Sequence, residues 1–139
     1  MLEIIRDFGR DGAVLLLGLS VGAAWITAIV APNTSYDNLS ANQAEKHVRE
    51  LLKSASDPIA VLLFVAAGLG ILGGAVVSGI LALVAAIGFF TNRWILKSFK
   101  SDSGKEEAPG KTQRILAVSL TLLFGLAAAA AAVLAVLGI

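Results

Sequence analysis

The sequence predicts an all-α fold: an integral membrane four-helix bundle with a cytoplasmic amphipathic helix between spans one and two. Three observations carry that reading. Of 139 residues, 57% are hydrophobic and only 15% are charged, against about 25% charged in soluble domains. Four apolar stretches fit a bilayer. Lysine and arginine gather in the two long polar loops.

Residues 2–10 place Leu2, Ile5 and Phe8 at spacing i, i+3, i+6. That pattern predicts a short amphipathic stretch lying at the interface. Span one follows at about 12–31. Its apolar run of about 20 residues exceeds the roughly 7–15 of a secretory signal, and the preceding charges are mixed in sign, so it reads as an uncleaved span. Pro32 should end it, because proline disfavours helical geometry in the residue before it.

Ser40 with Gln43 forms a capping box, which predicts a helix start. From about 40 to 55, Ala41, Ala44, Val48, Leu51, Leu52 and Ala55 share one face, and Lys46, Arg49, Glu50 and Lys53 share the other. The expectation is an amphipathic helix resting on the inner leaflet. Asp57-Pro58 should then open the next helix, with Asp as N-cap and Pro at the first position.

Pro58 to Asn92 carries no charge. As one helix, these residues would run roughly 52 Å, far beyond a hydrocarbon core of about 30 Å. The run must double back. Gly73 and Gly74 lie near its midpoint, and glycine permits the positive φ a tight turn needs. Span two is therefore placed at about 58–75 and span three at about 78–97. A flexible polar loop at about 98–113, punctuated by Gly104, Pro109 and Gly110, leads to span four at about 115–139.

Four spans put both long loops on one side. They and the adjoining helix end hold Lys46, Arg49, Lys53, Arg93, Lys97, Lys100, Lys105, Lys111 and Arg114, against Arg6 and Arg10 opposite. The positive-inside rule then places the loops in the cytoplasm and both termini on the non-cytoplasmic side of the inner membrane. Lys46, Arg49, Lys53, Arg93 and Lys97 are the candidate contacts to anionic lipid.

The chemistry available is narrow. Cysteine is absent, the one methionine is Met1 and the one histidine is His47. This excludes disulfides and thiolate metal sites, and leaves too few axial ligands for haem. Net charge is +1, so no global field points to nucleic acid. No Asp, Glu, Lys, Arg or His falls in a span core, where such groups mark proton and ion pathways. Span polarity is confined to Ser20, Thr27, Ser78, Ser119, Thr121 and Trp25, whose hydroxyls most often bond back to their own helix. Small multidrug exporters, also four-span, depend on a membrane-embedded glutamate in the first helix, which this chain lacks. No nucleophile–base pair, phosphate loop or zinc signature appears. The expectation is no enzymatic activity and no cofactor.

Small residues are the positive signal. Gly18 and Gly22 stand at GxxxG spacing, Gly70 and Gly74 repeat it, and Ala128 and Ala132 sit in an alanine-rich last span. Small faces let membrane helices approach closely. They serve either the bundle's own packing or a partner, and a bundle this small cannot turn every one inward. The glycine-bearing first span (GLSVG), the Ala31-Pro32 pair and the helix LSANQAEKHVRELL, followed by an apolar hairpin and a final span, resemble an uncharacterised bacterial four-span family. That family is distantly like the eukaryotic transmembrane protein 205. The aromatic residue expected soon after Ala31-Pro32 is represented by Tyr36, and the resemblance implies no reaction.

The function expected is a non-enzymatic accessory or assembly subunit, partnered by the bilayer and by other membrane subunits or a second copy. One alternative is a small homo-oligomeric transporter or pore lined by Ser20, Thr27, Ser119 and Thr121. The other is a protein that binds lipid or an apolar pigment between its helices.

Overall fold

The computed structural model describes residues 1–98 and 109–139. Among these, the chain forms α1 (Leu2–Trp25), a π-helical turn (Ile26–Val30), α2 (Ala31–Asn38), α3 (Ala41–Leu72), α4 (Val76–Ser98) and α5 (Pro109–Val136). Four stretches are long and apolar enough to cross a membrane: Leu2–Asn38, Ala41–Leu72, Val76–Leu96 and Arg114–Val136. By length and composition this is a multi-pass membrane protein. Helix α1 packs on α3 and α5, while α4 packs on α3 and α5. The four long helices therefore close into an up-down-up-down ring of antiparallel neighbours.

Alanine dominates the interior. Ala13, Ala60, Ala66, Ala82, Ala85 and Ala131 are almost fully buried, around the larger Leu17, Leu63 and Phe89. Lipid tails are as apolar as leucine, so close backbone approach rather than water exclusion holds such a bundle together. Gly70 and Gly79 show how close: a Cβ added to Gly70 would stand 3.4 Å from the Gly79 Cα. At Gly79 an added Cβ would meet Ile71 Cγ1 at 2.6 Å and the Ala67 carbonyl at 2.9 Å.

The chain reverses between α3 and α4 at Gly73-Gly74. Gly74 has φ +79°, its N–H donates to the Ile71 carbonyl at 3.1 Å, and the Ala75 N–H donates to the Gly70 carbonyl at 2.8 Å. These two bonds make a Schellman motif, with glycine at the left-handed position. Helix α5 ends the same way: Gly138 has φ +74°, and Gly138 and Ile139 donate to Ala135 and Leu134.

The structure corrects several expected boundaries. Residues 2–10 do not form a separate interfacial stretch. They are the first turns of α1, held in line because Gly9 packs against Leu69 and Gly73. Pro32 does not end the helix; the chain stays helical to Asn38. The reason is the π-helical turn just before it, in which the Ala31 N–H donates to the Ile26 carbonyl. A wider turn gives the proline ring room that a regular α-turn denies it.

Residues 41–55 are not an independent helix, and Asp57 is not an N-cap. Helix α3 runs unbroken for 32 residues with Pro58 inside it. Proline removes one donor and crowds the carbonyl four residues back. That residue, Ser54, is exposed, so water can satisfy the freed carbonyl. Ser40 does occupy the N-cap position, but its hydroxyl donates to the Gln43 side chain at 3.0 Å and makes no bond to the helix backbone.

The apolar face of this segment does not rest on lipid. Val48 and Leu52 are buried together with Leu96 and Ala117. Helix α5 starts at Pro109 rather than near 115, which suits proline at a first helical position. The rest of the expected 98–113 loop, and the snorkelling of Lys97, lie outside the described residues.

Candidate functional site: an exposed face on the first helix

The six small residues singled out from sequence divide by position. Gly70 and Ala128 are buried, Ala132 is half-buried, and Gly74 is in the turn. Gly18 and Gly22 instead face outward, and a Cβ added to either would meet nothing within 4 Å. Identical spacing thus serves internal packing in α3 and an open surface in α1.

Helical geometry extends that surface. Ile4, Phe8, Asp11, Leu15, Gly18, Leu19, Gly22 and Ile26 recur at steps of three and four, so they share one side of α1. All of them are exposed. The face is about 33 Å long. Its upper part overruns the hairpin, because Gly9 already stands level with Gly73. Ile4, 72% exposed, is five residues, about 7.5 Å, further out.

Helix α3 exposes a single open glycine, Gly68, beside Phe64, Val65 and Leu72; the outward faces of α4 and α5 differ in kind. Helix α4 presents Val76, Ile80, Val84, Ile87 and Phe90, and α5 presents Leu122, Leu123, Leu126 and Val133. Bulky branched side chains of this sort suit disordered acyl chains. Two glycines flanked by Leu15 and Leu19 make a notch that a ridge on another helix can enter.

The hydroxyl groups do not line a shared path within this chain. Ser20 donates to Leu16 O, Thr27 to Ala23 O and Thr121 to Ala117 O, each in its own helix, while Ser119 is exposed. Ser78 departs from the expected habit: its hydroxyl crosses to α5 and donates to the Ala131 carbonyl at 2.7 Å.

Sequence reasoning missed Asn92. It is fully buried, and its amide donates to Thr121 Oγ1 at 3.0 Å and to the Ala117 carbonyl at 3.4 Å. Its Oδ1 is buried without a donor. In the sequence Asn92 only marks the end of an uncharged run. Its signal was that the helix continues past it, towards a level where Thr121 offers a partner.

Near Asn92, Arg93 pairs with Asp57 at 2.8 Å, both about 40% exposed. The Arg114 guanidinium lies 5.0 Å from the Tyr36 ring centroid, close enough for a cation–π contact. Lys46 is exposed, and Arg49 and Lys53 are partly exposed. Trp25 and Trp94 are exposed as well. His47 is exposed beside a cavity of about 340 Å³ lined by Thr34, Ser35 and Asn38. Among the described residues no three metal-ligating side chains converge. Compared with protein-family models, with curated proteins and with solved structures, the chain matches none.

Proposed function

We propose that this chain is a non-enzymatic membrane subunit that docks on another membrane protein through the exposed face of α1. The observation that carries the reading is the outward position of Gly18 and Gly22, with nothing within 4 Å of an added Cβ. Lipid gains nothing from such a notch, whereas a second helix gains close contact. Ile4 and Phe8, each more than 70% exposed, add a reason of their own. They prolong the face to the hairpin end of the bundle and beyond, where acyl chains give way to head groups.

In this reading the protein lies in the inner membrane with both termini outside. The basic residues of α3 and the α4–α5 connection face the cytoplasm, following the bias of nine against two in Lys and Arg. The amphipathic first half of α3 projects there as an extension of its span. Lys46, Arg49, Lys53, Arg93 and Lys97 meet anionic head groups at that surface. The absence of native cysteine makes single-cysteine labelling clean. A cysteine at position 46 should react only from the cytoplasm and one at position 6 only from outside.

Purification from native membranes in mild detergent tests the docking. The wild-type protein should bring a second membrane protein with it, and G18L/G22L should lose that protein while keeping its own helical spectrum and melting behaviour. A wild-type protein that runs alone, or a double variant that retains its companion, overturns the proposal.

A further inference from the structure

The first three turns of α1 carry a second feature, on a different side from the docking face. Glu3, Arg6, Asp7 and Arg10 line a cavity of about 290 Å³ whose remaining wall is Gly73 and Gly138. The two arginines stand four residues apart, and so do the two carboxylates. On a helix these spacings set like charges beside each other, giving a cationic ridge next to an anionic one. The ridges satisfy each other poorly. Asp7 and Arg10 approach only to 3.6 Å, and among the described residues Arg6 has no ion pair. Arg6 Nε donates to the Gly73 carbonyl at a long 3.4 Å. Each guanidinium has five donors in a fixed fork, so most of that capacity is unspent.

The place matters as much as the charges. Sixteen residues, about 24 Å of helix, separate Asp57 in its pair with Arg93 from Gly73. The two charged levels bracket a slab close to a hydrocarbon core of about 30 Å. The cavity therefore lies at head-group depth. Leu72 and Leu137, one residue from its two glycines, are exposed and offer apolar surface to acyl chains.

We propose that this cavity binds the head group of a zwitterionic phospholipid carrying a primary amine. The phosphate sits on Arg6 and Arg10, and the ammonium group on Glu3 and Asp7. A guanidinium fork matches phosphate oxygens. A primary ammonium has three N–H donors for the two carboxylates, whereas a quaternary amine has none. The inference is independent of the docking face and does not require a protein partner.

Native mass spectrometry of the full chain in mild detergent tests it, with phosphatidylethanolamine, phosphatidylcholine or phosphatidylglycerol added at equal concentration. The wild type should retain phosphatidylethanolamine about tenfold better than the other two, the size expected when charge-assisted hydrogen bonds are gained or lost. R10Q, and separately R6Q/R10Q, should lower retention of all three lipids. E3Q/D7N should abolish the preference while leaving phospholipid retention in place. K46Q/K53Q, at the other end of the bundle, should leave the preference for phosphatidylethanolamine over phosphatidylcholine unchanged. Equal retention of the three lipids by the wild type, or unchanged retention in R10Q and R6Q/R10Q, overturns the proposal. Full displacement of the lipid by equimolar glycerophosphoethanolamine would assign the site to a soluble phosphate ester and overturn the lipid assignment.

Discussion

The two ends of the bundle are built on different principles. At the hairpin end, backbone meets backbone. Gly9 lies on Leu69 and Gly73, Gly70 lies on Gly79, and two Schellman motifs close α3 and α5. At the opposite end, side chains do the joining: Asn92 to Thr121, Asp57 to Arg93 and Arg114 to Tyr36. Gly9, Gly73 and Gly79 leave no room for an added Cβ, whereas exposed ion pairs in water are worth little. The hairpin end should therefore fix the fold, and the far end should tune it.

Equilibrium unfolding in mixed micelles can break that contrast, and the largest effect should come first. G79L drives a side chain into Ile71 and the Ala67 carbonyl on α3 and should cost about 3 kcal/mol or more. G74V places a branched side chain at φ +79°, against the Arg6 guanidinium, and should cost about 2 kcal/mol. N92A removes two interhelical bonds, to Thr121 Oγ1 and to the Ala117 carbonyl, but also an unpaired Oδ1, so the loss should be only about 1 kcal/mol. D57N leaves a half-exposed Arg93 that water can serve, and should shift stability by less than about 1 kcal/mol. If D57N proved as damaging as G79L, the distinction between the ends would fail.

How much was legible in sequence follows the same division. An uncharged run too long for one crossing implies a reversal, and the reversal falls at Gly73-Gly74 because glycine alone takes that backbone shape cheaply. Reading Pro32 and Pro58 as boundaries failed for a different reason. Both rules describe a helix by itself. Here a widened turn makes room for one ring, and the exposure of Ser54 lets the chain tolerate the other. Gly18 and Gly70 sit in motifs of the same spacing, yet one faces out and the other in. Spacing records which residues share a side, and only the neighbouring helices decide where that side points. Asn92 was passed over because it was counted as a border. Its depth depends on Thr121, which α5 brings opposite it from 29 residues away.

The π-helical turn at Ile26–Val30 has a consequence for phase. Ser20, Ala24, Ala28 and Pro32 are all buried, at four-residue intervals. In a regular α-helix each such step drifts by about 40°, so the last residue would have swung about 120° from the first, towards the outside. The surplus residue in the wide turn takes up that drift and returns Pro32 and Ser35 to the interior. Deleting any one residue from 26 to 30 would restore a uniform rod, and in doing so would rotate the whole of α2 off α3.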